Sequence, residues 1–488
     1  MILSPDRGRL DTKEFNMARG TSKIRLYDRD VFPAATEGPA NVFSSIPFLL
    51  VKSRWIADDA AQVCPLCSQK FTQIRRKHHC RQCGQVLCSK CCNEKVPLPQ
   101  LGFEEPERIC DNCLEVTSLV TKSRSLQMSF KLEAAKGLSE LCKDPAALTK
   151  VVEMGGVQTL IFLSQSGNDE VKAAVASGLQ ILSTHPQLHS MLAKCGGIKA
   201  LCSILSTVNE SQEQTLIDGI SALMIFCKSP ELKAQALADG ALDPVLTVCA
   251  MKEALALLAL MTLSHIVEHQ GNLAPLIESN RNALPRILAL TKAQDEKIQE
   301  ISLRILAQMS VGTDWQRHCI VQEDFSAGRC LVEALTKGPK NLQVLVNASC
   351  LIANLATGDQ DQMSLRDCLQ AMCSLTSSHT AHKDIQTHVS RGLGNFAKFH
   401  QNSSILIDYL PSIVETHLKS TDNAIKCHGL RTVMYLISYQ KERAVDVLLR
   451  EGAHEVLTSL GTFNGIVDAV ETGLLKIVPT LSDCTITK

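Results

Sequence analysis

From about Ser125 to the C-terminus, apolar side chains recur at the three- and four-residue spacing of one helical face, broken by short Gly, Asp and Pro clusters. Aligning one L-x-x-L-like helix per unit places equivalent positions at Glu140, Ile181, Ile225, His265, Gln308, Asn354, Asn395, Tyr435 and Lys476. Successive positions are 41, 44, 40, 43, 46, 41, 40 and 41 residues apart. Turns fall in phase with them, at Gly155-Gly156-Val157, Gly196-Gly197-Ile198, Gly240-Ala241-Leu242 and Gly452-Ala453, each before a new apolar helix. Glycine suits a sharp corner there, because it adopts left-handed backbone without a steric cost. One helix pair of this length cannot bury its apolar face alone, so stacked copies must share a continuous core. The prediction is an all-α superhelical solenoid of about eight to nine repeats over residues 126–488.

The period and the Gly-Gly-hydrophobic turn resemble armadillo repeats over about 360 residues, with the less regular HEAT repeat of overlapping length as the alternative. The resemblance implies a concave groove in which an Asn on each inner helix holds the backbone of an extended peptide. Asn354, in Leu351-Ile352-Ala353-Asn354-Leu355, and Asn395, in Gly392-Leu393-Gly394-Asn395-Phe396, match that feature. They make a short candidate peptide groove, and ordinary surface residues are the competing reading.

Upstream the pattern changes. Residues 1–50 mix Arg, Asp, Gly, Ser and Pro without sustained period and are expected as a disordered N-terminal arm. Residues 51–117 form a small cysteine-rich module, and residues 118–125 are assigned to a linker.

Composition narrows the classes further. A chain of 488 residues is too long for one compact core. With 45% apolar but only 4% aromatic residues it fits a β-sandwich or a large catalytic α/β core poorly. Fifty Lys+Arg balance fifty Asp+Glu, so no global field points to nucleic acid. The start, MILSPDRGRLDTKEF, carries no long apolar run, which leads to the expectation of a cytosolic protein. The best membrane-span candidates, residues 46–51 and 254–263, fall far short of the roughly 18 apolar residues a membrane-spanning helix needs.

Nine of the 21 cysteines lie within residues 64–113, and in a reducing compartment metal explains such a cluster better than disulfides do. Four Cys-x-x-Cys pairs follow one another: Cys64/Cys67, Cys80/Cys83, Cys88/Cys91 and Cys110/Cys113. Each pair offers two thiolates from one tight knuckle, and eight thiolates make two tetrahedral zinc sites. Closed four-sulfur sites leave no open coordination position, so the metals are structural. In so small a module they supply most of the folding free energy. Cys92 is the odd thiol, read as a bystander. Spacing alone leaves the pairing of knuckles open.

Around the second pair the sequence reads Arg75-Arg76-Lys77-His78-His79-Cys80-Arg81-Gln82-Cys83-Gly84, with Trp55-Ile56-Ala57-Asp58 upstream and Arg108-Ile109-Cys110 opening the last pair. These three elements resemble the WxxD, R(R/K)HHCRxCG and RVC signatures of the FYVE zinc-finger family, Ile109 replacing the usual Val. The resemblance implies a cross-braced fold of short β-hairpins and a C-terminal helix. In it Cys64, Cys67, Cys88 and Cys91 hold one zinc, and Cys80, Cys83, Cys110 and Cys113 the other. It also implies that Arg76, Lys77, His78, His79, Arg81 and Arg108, with Asp58, bind the head group of phosphatidylinositol 3-phosphate. The chemistry agrees, since forked guanidinium groups and imidazole donors fit the oxygens of a nearly dianionic phosphate. A phosphate beside His78 and His79 favours their charged forms, so tighter lipid binding is expected at pH 6 than at pH 8. A solvated basic face or a nucleic-acid patch is the competing reading. In this family an apolar loop before the basic motif enters the bilayer, which here is Phe71-Thr72-Gln73-Ile74, with Phe71 and Ile74 as insertion candidates.

The sequence shows no phosphate loop, GxSxG, HExxH or GxGxxG, so no enzyme is expected. The leading reading is an adaptor, peripheral on early endosome membranes, whose solenoid binds a protein partner such as a small GTPase or trafficking factor. The alternatives are a RING-like ubiquitin ligase and a FYVE-related finger that binds a small GTPase instead of lipid.

Overall fold

The computed structural model describes residues 23–44, 48–268, 282–379 and 382–453. The chain divides into two compact units, Met1–Val248 and Cys249–Lys488.

In the first unit, long helices span Met128–Leu141, Asp169–Ser183 and Glu213–Lys228, each packed on the next. In the second they span Glu253–Val267, Glu296–Met309, Leu342–Leu355, Lys383–Ala397 and Asn423–Tyr439, again packed in succession. Eight of the nine positions aligned from sequence are each the thirteenth residue of one of these helices; Lys476 lies outside the described residues. The repeat phase read from hydrophobicity is therefore the helical phase of the structure. Starts are fixed locally. The side chains of Asn168, Asp295, Asn341 and Asp422 accept hydrogen bonds from the first free backbone N–H groups of their helices. Corners follow the glycines, with φ of +86° at Gly155, +93° at Gly196 and +87° at Gly240.

The expected disordered arm is folded over residues 23–44 and 48–50. Strand β1 (Ile24–Leu26) pairs antiparallel with β2 (Arg29–Val31), and β3 (Thr36–Glu37) with β4 (Leu49–Leu50). These two- and three-residue strands are too short to show a period, and the segments between them are fixed by contacts with the helical repeats. Ala34 N donates to Val152 O at 3.0 Å and Val42 N to Cys195 O at 3.1 Å. Phe48 and Leu50 are buried, and the Arg124 guanidinium lies 4.1 Å from the Phe48 ring centroid and 5.0 Å from that of Phe162. The arm runs across two repeat corners at closest approach. A Cβ on Gly155 would stand 2.4 Å from Leu50 Cδ1, and one on Gly196 2.5 Å from Asn41 Oδ1. The corner glycines thus serve both the turn and the bed of the strap.

The finger follows the strap. Strand β5 (Lys77–His79) pairs with β6 (Val86–Cys88), and β7 (Lys95–Leu98) with β8 (Phe103–Arg108), before a helix at Asp111–Lys122. That helix runs through the first five residues assigned to a linker and packs on Met128–Leu141.

Candidate lipid-binding zinc finger

Each knuckle is a chain reversal closed by backbone hydrogen bonds. In the first, Cys64 N donates to Gln69 O at 2.9 Å and Ser68 N to Cys64 O at 2.7 Å; in the second, Cys80 N donates to Gln85 O at 3.0 Å and Gly84 N to Cys80 O at 2.8 Å. In these two knuckles the residue after the second cysteine is left-handed, Ser68 at φ +58° and Gly84 at φ +74°. At Gly84 no side chain fits, because a Cβ would stand 2.2 Å from Arg54 O.

The knuckles come together as two sets, Cys64, Cys67, Cys88 and Cys91, and Cys80, Cys83, Cys110 and Cys113, with all sulfurs of a set within 4.8 Å of one another. Sulfurs at 2.3 Å around a tetrahedral zinc are about 3.8 Å apart. The Cys67–Cys88 pair at 3.7 Å and the Cys83–Cys110 pair at 4.0 Å fit that value, and both are far too long for the roughly 2.05 Å of a disulfide. Backbone support is aimed at the sulfurs, since Cys110 N donates to Cys80 Sγ at 3.3 Å. Asp111 N donates to Cys91 O at 3.1 Å, tying one set to the segment that supplies the other. The residues present fit two structural zinc ions, each of which supplies the charge that holds four thiolates together.

The basic residues are gathered around the second knuckle. His79 stacks on Trp55, ring centroids 4.6 Å apart at 18°, with Nε2 2.8 Å from Ile56 O and 3.7 Å from Asp58 Oδ1. Arg81 Cζ lies 4.4 Å from the centroid of the same indole. Lys77 Nζ donates to Asp58 O and lies 5.4 Å from the Phe71 ring centroid. Arg108 Nη1 donates to Cys92 O at 3.0 Å. Arg76 is exposed. Partial burial, and then the positive charges of Arg108 and Arg76, hold the His78 imidazole below its ordinary value. The contributions of Arg108 and Arg76 place both guanidinium groups within electrostatic reach of this imidazole. The structure therefore brings Asp58, Arg76, Lys77, His78, His79, Arg81 and Arg108 to one region of the finger.

The preceding loop is closed by Thr72 N donating to Arg75 O at 3.1 Å and Arg75 N to Thr72 Oγ1 at 3.0 Å, which puts Gln73 and Ile74 at its tip. Ile74 is 95% exposed. Phe71, in contrast, is half-buried at the loop base under Lys77, so it does not share the tip.

The two asparagines of the expected peptide groove are occupied. Asn354 is 1% exposed; its Nδ2 donates to Ser310 Oγ at 2.8 Å and its Oδ1 accepts from Arg391 Nη1 at 2.6 Å. Asn395 Nδ2 donates to Ala353 O at 2.7 Å and Oδ1 accepts from Arg431 Nη2 at 2.6 Å. Both amides bridge neighbouring repeats instead of facing an open groove. The signal was present in the sequence as Arg391 and Arg431, each four residues before an aligned position.

Sequence reasoning missed Glu107, whose Oε2 lies 2.9 Å from Arg81 Nε. Its place immediately before Arg108 was the available hint. Among the described residues no single helix is long and apolar enough to cross a membrane.

Comparison with known proteins follows this division. Residues 54–118 match the FYVE zinc finger family model. A putative 1-phosphatidylinositol 3-phosphate 5-kinase of Drosophila melanogaster is 32% identical over 147 residues, 28% of this chain and 8% of that protein. Vacuolar protein sorting-associated protein 27 of Kluyveromyces lactis is 51% identical over 115 residues, 24% of this chain and 17% of that protein. The chain thus spans less than a fifth of the length of these curated relatives. A solved structure of an engineered protein is similar in fold, at 23% identity and a TM-score of 0.54, over 71% of this chain and 84% of its own. The chain carries a FYVE zinc finger at residues 54–118, followed by an all-α repeat array that resembles armadillo repeats in period and corner geometry.

Proposed function

We propose that this chain is a non-enzymatic adaptor whose finger docks on membranes carrying phosphatidylinositol 3-phosphate, while the helical array holds a protein partner. The observation that carries the reading is the gathering of Arg76, His78, Arg81 and Arg108 around one zinc knuckle, next to a loop whose tip exposes Ile74. The cysteine sets fix the backbone rigidly, so the cationic groups meet a phosphate without prior ordering. Phosphomonoester charge supplies the acceptors and Ile74 the apolar contact. The similar proteins carry phosphatidylinositol 3-phosphate and vacuolar sorting in their names, which supports a cytoplasmic protein peripheral on early endosomes. The partner of the array is taken as a small GTPase or trafficking factor.

One finger binds modestly, since each basic residue near an anionic surface adds about 1 kcal/mol. Stable residence therefore draws on a second finger or a membrane-bound partner. A vesicle panel with each phosphoinositide isomer tests the reading, comparing wild type with Arg76→Ala and His79→Ala. Selective retention on the 3-phosphate, weakened at least tenfold in both variants, is the expected result. Equal binding to all isomers would reduce the site to a general basic face.

A further inference from the structure

Arg81 enters this site already engaged. Its Nε is 2.9 Å from Glu107 Oε2, with the two side chains 24% and 27% exposed. Its Nη1 donates to His79 O at 3.3 Å, its Cζ lies over Trp55, and its backbone N donates to Arg108 O at 2.9 Å. Glu107 stands on β8, opposite Val96 of β7 and directly before Arg108. A carboxylate is therefore built into a cluster whose chemistry suits an anion.

Such a carboxylate opposes an anionic ligand twice, by repulsion and by occupying an edge of the guanidinium. A phosphomonoester carries about one and a half to two negative charges at neutral pH, against one on a carboxylate or on the phosphodiester of bulk anionic lipid. Charge-assisted hydrogen bonds strengthen with that charge, so a monoester gains enough to draw Arg81 away, while a diester gains too little.

We propose that Glu107 is a specificity-determining residue of the finger, a competing carboxylate that Arg81 leaves only for a phosphomonoester. It sets a threshold of ligand charge, below which anionic lipid does not recruit Arg81. The inference rests on the lipid reading above.

Glu107→Gln keeps the shape and hydrogen-bonding capacity and removes the charge. Full-length wild type and variant, both checked for zinc content, are titrated with soluble dibutanoyl phosphatidylinositol 3-phosphate. They are also tested on vesicles containing that lipid and on vesicles of phosphatidylcholine and phosphatidylserine alone. The variant is expected to bind the soluble head group about three- to tenfold tighter, the range of a partly exposed ion pair together with the lost repulsion. Its binding to phosphatidylserine vesicles rises as well, because Arg81 is then open to a singly charged group. In the wild type, the Arg81 Nε–H resonance shifts on titration as the guanidinium changes partner. Unchanged or weaker binding by Glu107→Gln, with wild type still binding, overturns the role of Glu107 and leaves the lipid assignment standing. Failure of wild type on both the soluble and the vesicle forms removes that assignment, and the inference with it.

Discussion

Replacing Ile74 separates membrane insertion from head-group recognition. The side chain is 95% exposed at the tip of a loop closed by Thr72 and Arg75, so the free protein has almost nothing to lose there. Ile74→Ala removes three carbons. At about 0.8 kcal/mol for each CH₂ moved from water to hydrocarbon, full insertion is worth about 2.4 kcal/mol over alanine, a factor of about 50 in vesicle affinity. Partial insertion at headgroup depth lowers this to about tenfold. Thermal stability, zinc content and affinity for the soluble head group remain at wild-type values, because no packing or pocket contact is removed. The assay is vesicle cosedimentation with the 3-phosphate lipid, paired with calorimetry on the dibutanoyl form. Vesicle binding within twofold of wild type would refute insertion. An equal loss on the soluble ligand would show instead that the loop shapes the pocket.

Further outcomes follow from the rest of the molecule. Stripping zinc with a strong chelator unfolds the finger and abolishes lipid binding while most far-ultraviolet helical signal survives; metal analysis returning fewer than two zincs per chain contradicts the scaffold. Gly196→Ala costs about 2 kcal/mol or more, because it adds left-handed strain to a collision with Asn41 and Phe43, and it speeds proteolysis of the strap; Gly240→Ala, with open space around it, costs only about 1 kcal/mol. Equal costs in chemical denaturation would deny the strap contact. Burial, helped by the Arg391 charge, depresses His388 to about 3; burial alone takes His417 to about 4, and burial with the Arg431 and Arg391 charges takes His428 to about 3. All three folded values lie below the unfolded value near 6.5, so their stability is complete above that pH and is lost as pH falls toward 3–4. At pH 5 each forfeits about 2 kcal/mol, and a melting temperature that is flat between pH 7.5 and 5 would contradict it. Asn354→Ala leaves a buried guanidinium one acceptor short and costs about 1–3 kcal/mol by denaturant melts, with no change in lipid binding.

What the sequence made legible is what repeats or recurs locally. The thirteenth residue of eight helices was found from spacing alone, because a 3.6-residue apolar period encodes helical phase directly. The zinc sets required more. Four identical knuckles carry no label saying which two share a metal, and only the family likeness supplied the pairing that the sulfur distances reproduce. The asparagines failed for a related reason. Asn354 and Asn395 stand where an open groove would place them, yet Arg391 and Arg431, one repeat on, claim their oxygens, and a single helix cannot reveal a partner some 40 residues away.

The strap was hidden altogether, since strands of two and three residues have no pattern until a partner fixes them. Its partners are nonetheless in plain view: Leu50 is complementary to the missing side chain of Gly155, and Asn41 to that of Gly196. A few residues beyond Leu50 the same segment reaches the second zinc knuckle, where Ser53 Oγ donates to Gln82 O at 2.7 Å and Ile56 N to Gly84 O at 3.0 Å. Between those bonds Arg54 O closes over Gly84, and Trp55 places its ring against His79 and Arg81. One stretch of about seven residues therefore ends on a repeat corner at one side and on the cationic cluster at the other. The finger is thus tied to the first repeats through the segment from Leu50 to Ile56, which packs on Gly155 at one end and against His79 and Arg81 at the other.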